Sequence, residues 1–292
     1  MNSNPLLQFI QQTEVFTRLP TDGYLYDDSI IEMSPNEEIG VCGRSAKDEM
    51  LFNNPDALLN GKAVSSVIRN CVSVVKKPEE LFVPDVEALL MAIKSASGEK
   101  EYDLEVTCPN CEKKGGFTRH IPTLLETATV LHEAPFVMVG ALKVYLQPST
   151  WKFHNYIGNE TFKIKKTLQL VEQTKDISDE RAKEIMSDCF DKMTDLHYQI
   201  MVTNITRVML PCELGDPIVV DDKESIKEWV YKLTSAEIKV ILAKMEELNN
   251  MGVSKTQDVM CKFCEHEWTV NDLVFDPSHF FAKCFSSQPM KK

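Results

Sequence analysis

Two cysteine pairs constrain this chain more than any other feature. They are Cys108-Pro109-Asn110-Cys111 and Cys261-Lys262-Phe263-Cys264. A C-x-x-C spacing lets two thiolates from one tight turn hold a single Zn²⁺, and a structural site needs four ligands in a tetrahedron. Neither pair completes that set alone. Joined, Cys108, Cys111, Cys261 and Cys264 make one four-thiolate site. Its halves lie roughly 150 residues apart, further than in compact zinc modules. Such a site pins the C-terminal part of the chain back onto the first domain, and metal-binding free energy becomes folding free energy.

The flanks of the two pairs match. Tyr102 to Thr107 alternates apolar and polar residues as a half-buried strand does, and Phe117 to Ile121 follows the first pair as a second strand. Val259-Met260 and Glu267 to Val270 frame the second pair in the same way. Strand, knuckle, strand, twice, is the plan of a split zinc ribbon. A redox role for either pair would call for a thioredoxin-like βαβ pattern, and none surrounds them; unliganded thiols and disulfides stay open. Catalytic zinc needs an open three-ligand set such as H-E-x-x-H, which the chain lacks. His266, two residues past Cys264, is either a substitute ligand or an ordinary turn histidine. Spacing does not separate zinc from iron, and structural Zn²⁺ is the expectation.

The 292 residues suffice for two domains, and a chain 43% hydrophobic and 26% charged is globular. A net charge of −12 argues against direct nucleic-acid binding, which draws its affinity from Lys and Arg on phosphates. The segment Met1 to Leu7 has no basic n-region and no sustained apolar h-region, and no apolar run reaches membrane-spanning length. Nine cysteines in such a chain suit a reducing cytoplasm, with thiols free or on metal. Cys42, Cys71, Cys189, Cys212 and Cys284 are expected as small buried apolar residues.

Along the chain, apolar residues at Leu6, Leu7, Phe9, Ile10 and Phe16 precede a turn at Pro20 and Gly23. Ile30 to Met33 is a short strand. Ser34-Pro35-Asn36-Glu37 has the form of a helix start. Helices are predicted over 44–53, 57–59, 63–75 and 86–96, the last with Leu89, Leu90 and Ile93 inward. Residues 123–131 are ambiguous. Phe136–Val139 and Leu142–Leu146 are strands about Gly140. From Trp151 the pattern turns helical: 151–173, a helix from Ser178 running to Leu210, a short strand at Ile218–Val220, then helices over 222–231 and 235–248. The fold class is α+β. Residues 1–150 form an N-terminal mixed domain with the first knuckle, 151–255 a mainly helical inserted domain, and 256–292 the second knuckle with a tail that packs back.

Catalytic motifs are missing: no phosphate loop, no G-x-G-x-x-G, no G-x-S-x-G elbow. Asp85 with Glu87, and Asp221 with Asp222, are weak acid/base pairs among carboxylates that suit a solvated surface. His154 and His197 lie in helical patterns and are expected packed or exposed. Tyr24, Tyr26, Phe280 and Phe281 are interface anchors or core residues.

Several motifs occur together in order: Leu19-Pro20 with Gly23-Tyr24-Leu25-Tyr26, Asn60-Gly61-Lys62-Ala63-Val64 with Val67-Ile68-Arg69-Asn70-Cys71-Val72, and Val106-Thr107-Cys108-Pro109-Asn110-Cys111. Across roughly the first half, the chain resembles the baseplate hub and hub-assembly proteins of T4-type contractile-tailed bacteriophages. The second knuckle and Pro277-Ser278-His279-Phe280-Phe281 are similar to that family's ending. The resemblance implies a viral tail protein without enzymatic activity, made in the host cytoplasm and placed at the virion tail baseplate. Its partners would be other hub, tail tube or tape-measure proteins, possible in several copies, with no membrane insertion. Alternatives are a hub-assembly chaperone absent from the mature virion, and a zinc-ribbon adaptor in viral transcription or replication.

Overall fold

The computed structural model describes residues 14–33, 37–52, 57, 60–174, 178–211 and 216–270. The predicted helix at 57–59, Cys212, Cys284, the apolar residues before Glu14 and the 277–281 ending lie largely or wholly outside them. The chain is mixed α and β and divides into two compact units. One comprises residues 1–78, 84–130 and 251–292, the other 79–83 and 131–250. Among the described residues no helix is long and apolar enough to cross a membrane.

The first unit opens with an antiparallel pair, β1 (Glu14–Arg18) and β2 (Glu38–Cys42). The helix start predicted at Ser34–Glu37 is not followed by a helix. From Glu38 the chain is extended, and alternation buries Ile39 and Val41. Helix α1 (Ala46–Phe52) leads to α2 (Lys62–Cys71), which begins behind Gly61 in the left-handed region at φ 70°. Ala63, Val64, Val67, Ile68 and Cys71 form its buried stripe. The helix ends at Cys71 rather than Val75 because Val72 turns extended; Val75 instead bridges Ile31, all that remains of the strand expected at Ile30–Met33.

Helix α3 (Val83–Ala96) is buried on every side. Val86, Ala88, Leu89, Leu90, Ala92 and Ile93 are fully inaccessible. The predicted one-sided helix is therefore a central one with no face to solvent, and its charged side chains Glu87 and Lys94 are buried and paired, with Lys255 and Glu99. Its Asp85 accepts from the Thr21 backbone N–H (2.9 Å), the Thr21 hydroxyl (2.5 Å) and the Tyr26 hydroxyl (2.6 Å). The carboxylate thus staples the 19–26 turn to the start of α3. The hairpin β3 (Glu101–Thr107) and β4 (Lys114–His120) follows, then the short helix α4 (Ile121–Glu126), which resolves the ambiguity after Thr123. Ile121 heads that helix instead of ending a strand.

The second unit holds the antiparallel sheet β5-β6-β7-β8: β5 (Phe136–Val139), β6 (Leu142–Leu146), β7 (Ile205–Leu210) and β8 (Ile218–Val220). Between β6 and β7 run the long helices α5 (Trp151–Gln173) and α6 (Asp179–Asn204), N-capped by the hydroxyls of Thr150 and Ser178. They pack through Ile164, Cys189 and Leu196. The predicted continuation of α6 to Leu210 is overturned: Ile205–Leu210 is a strand that pairs with β6. The Lys223 ammonium donates to the carbonyls of Val202 and Thr203 where α6 ends. Two further helices, α7 (Lys223–Val230) and α8 (Ser235–Asn250), complete the unit. The chain then returns to the first unit through β9 (Gln257–Met260) and β10 (Glu267–Val270).

Candidate metal centre

Each cysteine pair sits at the tip of a two-stranded hairpin, and the two tips are built alike. In the first, the Cys108 N–H donates to the Lys113 carbonyl (3.0 Å) and the Glu112 N–H to the Cys108 carbonyl (2.9 Å). In the second, the Cys261 N–H donates to the His266 carbonyl and the Glu265 N–H to the Cys261 carbonyl, both at 2.9 Å. Glu112 and Glu265 both adopt positive φ, 57° and 58°. Non-glycine residues seldom do so, and here the closed turn that gathers the sulfurs requires it. Nothing in the sequence marks Glu112 and Glu265 as left-handed, since a glycine would have been the expected signal there.

The four sulfurs converge. Cys111 Sγ lies 3.6 Å from Cys261 Sγ, and Cys108 Sγ lies 3.7 Å from Cys264 Sγ. All four lie within 4.8 Å of one another. A disulfide would need about 2.05 Å, so these are free thiols. A tetrahedral ion with metal–sulfur bonds of about 2.3 Å has sulfur–sulfur edges of about 3.8 Å. Both cross-hairpin distances fit that edge, and an all-thiolate donor set suits Zn²⁺.

The electrostatics of the cluster point the same way. The His266 backbone N–H lowers Cys264 to about 6 against the opposing effect of burial, and the Asn110 amide, 3.6 Å from its sulfur, adds to it. Cys111, although the Lys113 backbone N–H lowers it, is held up to about 12 by burial and its sulfur neighbours. The two shifts run in opposite directions because ionising one sulfur opposes ionising its neighbour. A bound divalent cation removes that conflict.

His266 does not join the sulfur cluster. Its ring stacks on Trp268 at 5.9 Å, and Trp268 meets Phe117 edge-on at 6.2 Å. This aromatic contact ties the two hairpins together beside the sulfurs. The return of the chain is anchored further up. Thr129 and Gly252 exchange hydrogen bonds (2.9 and 2.7 Å), the Arg119 guanidinium donates to the Ser254 carbonyl (2.8 Å), and Lys255 pairs with Glu87 (3.2 Å). Gly252 has φ +86°, and a Cβ there would meet Pro20 Cγ at 2.8 Å, so no other residue fits without displacement.

Most of the remaining sequence candidates have structural partners. Asp85 is the staple described above; burial raises its carboxyl to about 6, with the Thr21 and Tyr26 hydrogen bonds opposing. Burial also raises Glu87, against the pull of Lys255. Asp222 caps α7 by accepting from the Ser225 N–H (2.9 Å). The His154 ring stacks on Trp151 at 5.7 Å, and His197 is exposed on α6. Tyr24 is 58% exposed, whereas Tyr26 serves Asp85. Among the isolated cysteines, Cys71 and Cys189 are buried and Cys42 is half-buried.

A family model described as "T4 bacteriophage base plate protein" matches residues 42–282, a span that contains both hairpins and all four cysteines. No curated protein and no solved structure matches the chain.

Proposed function

Because this chain belongs to the T4 bacteriophage base plate protein family, we propose that it is a non-enzymatic structural component of the phage tail baseplate hub, stabilised by one structural zinc. The match over residues 42–282 carries this reading. Within it, Cys108, Cys111, Cys261 and Cys264 hold the ion, and the zinc fixes the two hairpins to each other. The first-domain and second-knuckle segments act as one metal-stapled module, and the helical insertion between them offers a separate surface for contacts. Its partners are other hub proteins, the tail tube or the tape-measure protein, and its location is the virion tail baseplate.

The design suits that role. The cluster offers four cysteine sulfurs, a full tetrahedral set that leaves no open position for a substrate, as a structural ion requires. Asp85, Glu87, Asp222 and His154 are occupied in a staple, an ion pair, a cap and a ring stack. Quantitative mass spectrometry of purified virions tests the proposal. A fixed low copy number, a small multiple of the baseplate's symmetry, is the expected result. Abundance in infected cells with absence from virions would overturn it in favour of an assembly factor that leaves. Elemental analysis of the purified chain tests the metal: one zinc per chain is expected, and iron or no metal would refute the zinc.

A further inference from the structure

An antiparallel sheet covered by helices on one face normally alternates apolar residues inward with polar residues outward. The second unit's sheet keeps half of that pattern. Val139, Val144, Leu146, Ile205 and Val208 are buried on its inner face. Its outer face carries two cross-strand rows: Phe136, Tyr145 and Arg207 in one, Met138, Lys143 and Met209 in the next. Phe136 and Met138 are 37% and 50% exposed, and Arg207 is exposed. Neither row contains a carboxylate, in a chain whose net charge is −12.

The two cations rest on rings. Lys143 Nζ lies 3.8 Å from the Phe136 centroid and 5.0 Å from that of Tyr145, and the Arg207 guanidinium lies 4.3 Å from Tyr145. Phe136 and Tyr145 are themselves 5.9 Å apart. Cation–π contact positions a charged head without neutralising it. Among the described residues, neither Lys143 nor Arg207 forms an ion pair. The face therefore presents apolar surface and two fixed, uncompensated positive charges. Aromatic residues, Met and Arg are the side chains enriched in protein interfaces.

We propose that this face docks a segment of another baseplate protein that combines carboxylates with apolar side chains. The apolar groups would cover Phe136, Met138 and Met209, and the carboxylates would meet Lys143 and Arg207. A nucleic acid fits less well, because it would leave the methionines uncovered and approach an acidic chain with two cations to hold it. The inference rests on the baseplate reading for the partner being a baseplate protein.

The test uses the purified full chain, a short synthetic peptide alternating Glu and Leu, the same peptide with Lys for Glu, and oligothymidylate, read by fluorescence anisotropy. The acidic peptide should bind. The double variant Lys143→Glu/Arg207→Glu should lose at least about tenfold in affinity for it and gain the Lys peptide. Phe190→Ser, at an exposed aromatic on α6, should change neither, and unaltered melting of both variants shows that they fold. No binding of the acidic peptide, equal binding of both peptides, or tightest binding of oligothymidylate would each overturn the proposal. Absence of the chain from virions would sink the structural-component reading but leave charge-selective peptide binding intact, so the two failures are distinguishable.

Discussion

Every residue of α3 is buried, whereas the four strands of the two knuckle hairpins bury one residue between them, Val259. Both regions belong to the same compact unit, yet different forces hold them. Burying a Leu or Ile side chain contributes about 1.5–3 kcal/mol, and α3 does so at Leu89, Leu90 and Ile93. A two-stranded hairpin is marginal in water by itself, and these two face solvent on one side. What holds them to each other is the Phe117–Trp268 contact and the converging sulfurs, with the Arg119–Ser254 hydrogen bond beside them. A thin module can thus be as firmly placed as a core helix, provided that a metal supplies what burial does not.

The comparison breaks most sharply at the cysteines. Cys261→Ser/Cys264→Ser should forfeit on the order of 10 kcal/mol of metal-linked stability at the knuckles. Hydrogen exchange is expected to show β3, β4, β9 and β10 unprotected while α3 stays protected, and tail assembly should fail. Normal infectious particles from this variant would defeat the structural-zinc reading. Leu89→Ala is the converse lesion. It removes a fully buried side chain and should cost about 2–5 kcal/mol in denaturant melts, with the metal content of the folded protein unchanged.

Asp85 sharpens the comparison through pH. Its folded carboxyl is raised from 3.8 to about 6, so the native state takes up the proton before the unfolded chain does. The associated stability is complete below about pH 4 and is lost as pH rises through about 6. Asp85→Asn should therefore flatten the stability slope between these values, by up to about 3 kcal/mol relative to the unaltered chain. Parallel slopes for the two proteins would show that Asp85 is ionised throughout. Gly252→Ala probes the close contact where the returning chain meets Pro20. Its positive φ and the close approach of Pro20 predict a loss of about 1–3 kcal/mol in thermal melts. The smallest effect belongs to Thr150→Ala. Loss of the α5 N-cap, which accepts from the Phe153 N–H at 3.3 Å, should cost about 1 kcal/mol and leave the knuckles untouched.

The cysteine spacing alone made the four ligand candidates and the paired hairpins legible, because a thiolate pair on a tight turn has few alternative uses. Periodicity placed α5 and the later helices, and the run Phe136–Val139, apolar on both faces, already departed from ordinary alternation. Local signals misled where they competed. Ser34 to Glu37 resembles a helix cap, and that resemblance obscured the alternation of Ile39 and Val41 in β2. The apolar run from Ile200 to Leu210 suits helix and strand equally. What divides it at Asn204 is the partner strand β6, nearly 60 residues earlier in sequence by roughly the length of two long helices.

The sequence by itself determined the candidate donor set, the hairpin flanks and the acidic, motif-poor character of the chain, since each depends on residue type and near-neighbour spacing. Tertiary structure alone decided that the two half-sites meet with sulfurs 3.6 and 3.7 Å apart, that Asp85 is a buried staple, and that Lys143 and Arg207 share an uncompensated apolar face. Those features join residues distant along the chain. Their energies come from desolvation and packing, which no local pattern of residues encodes.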